Sequence, residues 1–283
     1  MRTMWRTSRV AVPLVGAFAA AGAVALTATR PVHLDAGSGP AVPEMPVVPT
    51  TPPVRTVVDP ATKQALPAEI VADVNGKPRT LRLVGLGVRA VTFLRMYVYV
   101  AGVYVDASMV GSQLGTEGAD GEDLERVFSR WMERGVPVAV RIMPLRNTDF
   151  AHLRDGLVRA VTYRAKDARV PDGAYALSDE SEACLSHNVR DLKHLFPRHS
   201  VPKGHVLDLV VWRRGADAGP YHLSLAYDGH VLGAVSSEVP DQTSGVPTFV
   251  LPMQLILAYL GTRPDISGTL RASVAHGLHE GLP

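Results

Sequence analysis

The sequence has little net charge, almost no cysteine and no internal repeat, and each lack narrows what the chain can be. Among its 283 residues, 29 lysines and arginines nearly balance 27 aspartates and glutamates, leaving a formal net charge of +2. That excess is too small to draw the chain to a phosphate backbone, and the basic residues are scattered without any nucleic-acid-binding signature. Nucleic acid is therefore not an expected partner. Cys184 is the single cysteine, which excludes an intramolecular disulfide framework and a cysteine-based zinc site. None of the ten histidines stands in a companion set suited to zinc either. With no repeat, the folded part reads as one domain.

Acidic residues are missing from the start of the chain, where the first is Asp35. Ahead of it, MRTMWRTSRVAVP places Arg2, Arg6 and Arg9 among Ser, Thr and Trp, the composition of a mitochondrial presequence. Residues 10–29 follow without a charge, about the length a bilayer crossing needs, although Ala and Gly make insertion marginal. Three destinations fit: a mitochondrial presequence with an inner-membrane anchor, giving a membrane partner through residues 10–29; a cleaved presequence with no anchor; and secretion or a periplasmic location through a signal peptide, for which Ala23-Val24-Ala25 offers a cleavage site. Residues 31–56 hold seven prolines, which favour an extended linker. The expected organisation is presequence and anchor over 1–30, linker over 31–56, and one folded domain over 57–283.

Within that domain, strand and helix patterns segregate. EIVADVNGKPRTLRLVG reads as a hairpin turning at Asn75-Gly76; residues 106–121 read as a Gly-rich loop. Helical spacing covers GEDLERVFSRWMERG, a segment capped by Thr148 or Asp149 with Phe150, Leu153, Leu157, Val158 and Val161 on one face, and SDESEACLSHNVRDLKHLF. Strands follow at VPVAVRIMPL, HVLDLVVWRR, YHLSLAYD and, after the turn Asp228-Gly229, HVLGAVSSE. Two helices close the chain. The class is α+β with a mostly antiparallel sheet.

The stretch RLVGLGVRAV poses a question. Gly85, Gly87 and Ala90 satisfy G-x-G-x-x-A, the spacing that lets a helix N-terminus hold a pyrophosphate. A true fingerprint opens a helix, whereas here a run rich in β-branched residues and tyrosine continues to Val105, favouring a strand–turn–strand. The dinucleotide reading falls away and Arg89 remains. One face of the later strand carries Phe93, Arg95, Tyr97, Tyr99, Ala101 and Val103; the more apolar face, with Val98, Val100 and Tyr104, is expected to pack the core.

Taken in order, GLGVR, YVYVAGVYV, VRIMPLRNTDFAHLRDGLVRA, LKHLFPRHSVPKG, YDGHVLG and LILAYLGTRPDIS resemble the chalcone isomerase superfamily over essentially the whole domain. RNTDFAHLRDG and the N-terminal presequence are most similar to its fungal mitochondrial branch. The resemblance implies an open-faced β-sandwich, a large mostly antiparallel sheet covered by helices. It also implies that Arg89 lies in the cleft, where in the plant enzymes this arginine polarises a substrate carbonyl during ring closure, a role its permanent charge suits. The plant threonine corresponds to Tyr99, and the plant tyrosine and asparagine correspond to Phe150 and Leu157, which carry no polar group. A small apolar or aromatic ligand is thus expected against Arg89, Tyr97, Tyr99, Phe150 and Leu157.

Three functions follow from the resemblance. The cleft binds haem, with Arg89 on a propionate and His152 as the iron ligand (His187 or His194 being alternatives), or another apolar anion. It binds a fatty acid through Arg89. Or it acts as an isomerase, an intramolecular lyase using Arg89.

Overall fold

A computed structural model describes residues 55–91, 96–111, 123–168, 177, 179–213, 219–237 and 249–280. The expected presequence and anchor, nearly all of the linker, and Phe93 and Arg95 lie outside the described residues. A small hairpin, β1 (Thr56–Val58) and β2 (Ala65–Pro67), leads into a seven-stranded sheet. Its strands are β3 (Glu69–Val74), β4 (Lys77–Val91), β5 (Met96–Val105), β6 (Val138–Pro144), β9 (Leu207–Arg213), β10 (Tyr221–Tyr227) and β11 (His230–Ser237). Their order is β11–β10–β9–β6–β5–β4–β3, and every adjacent pair is antiparallel. The α+β class read from the sequence is the one observed. Both expected hairpin turns form: Asn75 and Gly76 have φ of 55° and 74°, Asp228 and Gly229 of 47° and 81°, the paired positive angles of a turn that matches strand twist.

The helices are α1 (Ala107–Val110), α2 (Leu124–Glu133), α3 (Phe150–Asp167), α4 (Asp179–Leu195), α5 (Leu251–Leu260) and α6 (Gly268–Glu280). The short α1 replaces the start of the expected loop, because the Asp106 carboxylate accepts from the Ser108 amide at 3.1 Å and starts a turn there. Asp149 caps α3 by accepting from the His152 amide at 2.7 Å. Just ahead of α3, β7 (Thr148–Asp149) pairs with β8 (Ser200–Val201), setting Thr148 opposite Val201, a long-range contact that carries no local signal.

Both faces of β5 are buried, which corrects the expectation of one core-packing face. Tyr99, Ala101 and Val103 join the larger core under the helices, while Val100 and Tyr104 join a second cluster with Leu66. The β1–β2 hairpin supplies that cover: a Cβ on Gly102 would meet Leu66 Cδ1 at 2.8 Å.

The glycines of GLGVR open neither a helix nor a turn; they sit inside β4, where α6 crosses it backbone to backbone. A Cβ on Gly85 would fall 2.5 Å from the Val274 nitrogen, and one on Gly87 2.3 Å from the Leu270 nitrogen. Hydroxyls of the crossing segment hold the strand. Ser273 accepts from the Leu86 amide (3.1 Å), Thr269 accepts from the Val88 amide (3.1 Å), and Ser267 donates to the Val88 carbonyl (2.7 Å). The residue after Val88 is Arg89.

A buried polar clasp fixes the helices opposite. Arg164 of α3 pairs with Glu125 of α2, donates from Nε to Gln254 Oε1 of α5 (2.8 Å), and donates from Nη1 to the Arg263 carbonyl (3.2 Å). Every residue of α5 is buried.

Candidate functional site

At the end of β4 the ladder with β5 slips. Arg89 pairs with Tyr99 and Ala90 with Tyr97, so Val98 is left over as a bulge. Bulges redirect side chains, and this one breaks the alternation assumed for the strand. A hollow of about 210 Å³ opens here, bounded by the β4 and β5 ends, Ile142, α3, Tyr259 of α5 and Ile266. Val98 lines it beside Tyr99.

Its polar end is built from three side chains. Arg89 Nη1 donates to Tyr99 Oη at 3.4 Å, and Tyr99 Oη donates to Tyr259 Oη, also at 3.4 Å. These contacts are long, leaving slack that a stronger acceptor would take up. The Arg89 guanidinium also lies 5.8 Å from the Tyr99 ring centre, within cation–π range. Among the described residues no carboxylate pairs with Arg89. Burial works against its charge, but the attraction and hydrogen bond of Tyr99, with a smaller part from Tyr259, more than offset it and hold Arg89 above the ordinary arginine value. Tyr259 is wholly enclosed, and burial first, then Tyr99, push its phenol well above the usual range against the opposing pull of Arg89. It therefore keeps its proton. Since it accepts from Tyr99, that proton is not used in the contact between the two phenols.

Apart from Thr148, the remaining wall is apolar, made chiefly by Ile142, Leu153, Leu157 and Ala160. Gly156 sits among them, and a Cβ there would meet nothing within 4 Å. His152 and Arg159 stand at the open rim, both exposed.

Of the residues singled out from the sequence, the structure brings Arg89, Tyr99, His152 and Leu157 to one hollow. Two others are elsewhere. Tyr97 lies beyond the bulge, 42% exposed, and does not line the hollow. Phe150 is completely buried, in edge contact with Phe196, His199 and Tyr227, because the first turn of α3 aims it at the core. His152, which a helical wheel sets opposite Phe150, still reaches the rim, since the hollow lies against the flank of α3. Its Nδ1 pairs with Asp149 Oδ2 at 3.0 Å. His187 pairs instead with Asp191 on α4 (3.2 Å), and neither it nor His194 lines the hollow. Among the described residues no group of three or more His, Cys, Asp or Glu side chains is arranged to hold a metal ion.

The sequence reading missed Tyr259 and Gly156, and each had a signal. A tyrosine in an otherwise apolar, fully buried helix must find a hydrogen-bond partner. A mid-helix glycine costs about 1 kcal/mol against alanine, so it needs a packing or functional reason.

Comparison with known proteins agrees with this architecture. The family described as chalcone isomerase like matches residues 79–114 and 110–275. A Debaryomyces hansenii protein, "Altered inheritance of mitochondria protein 18, mitochondrial", is 30% identical over 247 residues, covering 80% of this chain and 76% of the relative. Proteins of the same name are 31% identical over 160 residues in Eremothecium gossypii and 28% identical over 187 in Saccharomyces cerevisiae. Those matches cover 48% and 56% of this chain and only about half of each relative, 49% and 55%. The crystal structure of an Arabidopsis thaliana fatty-acid binding protein superposes with a TM-score of 0.53 at 21% identity, covering 79% of this chain and 98% of that one. At that identity the likeness is one of fold.

Proposed function

The chain belongs to the chalcone isomerase-like family, and on that premise we propose that it binds an apolar carboxylate of the fatty-acid type. Arg89 takes the carboxylate, Tyr259 donates to it, and the alkyl chain lies along Leu153, Gly156 and Leu157. The observation that carries this reading is a partly buried guanidinium that has no carboxylate partner among the described residues and faces an apolar wall. Such a group gains most from an anion that arrives with its own hydrocarbon cover, because pairing is charge-assisted and the tail is removed from water. The plant protein of like fold is itself a fatty-acid binding protein, which supports the same ligand class here.

Ring closure by Arg89 is less well supported. Phe150 is buried away from the hollow and Leu157 offers no hydrogen bond. Neither can supply a polar contact that strengthens in the transition state.

Haem is a second reading with one observation in its favour. His152 has Nδ1 on a carboxylate and leaves Nε2 available, the arrangement typical of metal-ligating histidine. With Arg89 on a propionate, His152 would hold the iron, and the group would supply redox or gas-binding chemistry. The space fits poorly: about 210 Å³ is below the roughly 300–1,000 Å³ usual for drug-sized ligands, and a porphyrin is at least that large. A domain reconstituted with haem is expected to show no Soret band dependent on His152. A band lost in His152→Ala would reverse the preference between the two readings.

The mitochondrial names of the fungal relatives and the arginine-rich, acid-free start of the chain together support a mitochondrial location. An inner-membrane anchor over residues 10–29 remains part of the proposal. No helix among the described residues is long and apolar enough to cross a membrane.

Titration calorimetry with dodecanoate tests the main reading. Arg89→Gln is expected to weaken binding by about tenfold to a hundredfold, the worth of a hydrogen bond to a charged group. Gly156→Leu fills the hollow and is expected to block binding, while improving helix propensity, so that the loss cannot be assigned to unfolding. Equal affinity in wild type and Arg89→Gln would overturn the assignment.

A further inference from the structure

The hollow holds a second arginine that a fatty acid does not use. Arg159 lines it from α3, exposed at the rim, whereas Arg89 is at the enclosed end with Tyr99 and Tyr259. The nearest carboxylate along the helix is that of Asp155, one turn back; Arg154 holds its Oδ1 from Nε and Nη2, each at 2.9 Å, and Arg159 acts on it through its field without an ion-pair contact. Among the described residues no salt bridge includes Arg159. The other rim group is His152, whose Nδ1 is turned to Asp149. Among the described residues no acidic side chain lines the hollow. Two permanent cations therefore line one small cavity together with the apolar side chains of Leu153, Leu157 and Ala160.

A monocarboxylate answers only one of them. Its methyl end offers no partner to Arg159, which stays with water at the rim. A ligand with an acidic group at each end and hydrocarbon between meets both cations and covers those apolar side chains.

We propose that the preferred ligand class is the straight-chain α,ω-diacid, with one carboxylate on Arg89 and the other on Arg159. This rests on the reading that Arg89 holds a carboxylate, and adds a second site in the same hollow. Two cationic sites in one hollow act as a ruler: a chain too short cannot span them, and one too long must buckle or leave one end unpaired. Affinity for diacids is then a peaked function of length, whereas monoacid affinity rises with each added methylene until the hollow is full.

The test is calorimetry on the purified protein with the diacids from adipate to dodecanedioate beside the monoacids of matching length. Wild type is expected to show one optimal diacid length, at which the diacid binds at least as tightly as its monoacid. In Arg159→Gln the optimum disappears and the diacid-to-monoacid affinity ratio falls about fivefold, the scale of an exposed ion pair. Arg159 is on the surface, so the variant is expected to melt like wild type. A flat or monotonic diacid profile, or a ratio that Arg159→Gln leaves in place, would overturn the second site while monoacid binding sensitive to Arg89 still stood. Failure of both acid classes to bind wild type would instead remove the Arg89 reading and this one with it.

Discussion

Glu125→Ala is expected to destabilise the domain by about 3–5 kcal/mol, the cost of leaving a buried charge without its partner. The side chain of Arg164 is 7% exposed and that of Glu125 21%, so water replaces the lost carboxylate only in part. Gln254 and the Arg263 carbonyl would still accept from Arg164, but neither carries a charge. Denaturant unfolding measures the loss. At roughly 2–4 °C per kcal/mol for a domain of this size, the melting temperature should fall by about 10 °C. A cost under about 1 kcal/mol would mean that the pair behaves as a solvated surface bridge. The double change Glu125→Leu with Arg164→Met is expected to recover much of the stability, because matched apolar groups often replace a buried pair without penalty. The clasp also reaches the candidate site, since Gln254 and Tyr259 share α5. Glu125→Ala is therefore expected to weaken carboxylate binding without touching the hollow.

Gly87→Ala is the second substitution with a large expected effect. Its Cβ would lie 2.3 Å from the Leu270 nitrogen and 2.5 Å from the Leu270 Cα. These are backbone atoms of α6, which no rotamer change can move aside. Ordinary overpacking costs about 1–3 kcal/mol. Here the helix must back away and the hydroxyl contacts to Leu86 and Val88 lengthen with it, so about 3 kcal/mol or more is expected. Gly156→Ala is the internal contrast, because its Cβ meets nothing within 4 Å and helix propensity favours alanine by about 1 kcal/mol. Unfolding curves showing the two substitutions to be equivalent would contradict the crossing geometry.

Much of this fold was legible because its signals are local. Asn75-Gly76 and Asp228-Gly229 specify turns by backbone chemistry, Asp149 announces α3, and the 3.6-residue spacing of Leu124, Val127, Phe128 and Trp131 marks a helix whatever it packs against. What escaped depends on partners distant in sequence. Nothing near Gly85 or Gly87 says that α6, from the far end of the chain, will lie on them, so a strand interior read as a turn. The β1–β2 hairpin, which buries the second face of β5, lacks the length and alternation to declare itself. In the site, Arg89 and Tyr99 were legible through the family motif, which identifies equivalent positions. A motif does not say where a side chain points: Phe150 turns into the core, and a single leftover residue, Val98, moves Tyr97 away from the hollow.

The three hydroxyl contacts between the 267–273 segment and β4 have a consequence for timing. A ribosome delivers Arg89 long before Ser267, Thr269 and Ser273, so the strand end that carries this cation stays unsupported until about 180 further residues have emerged. Capture of the proposed carboxylate would then have to await the docking of α6. A precursor halted before α6 would expose glycine-lined backbone of β4 to chaperones and would bind no carboxylate.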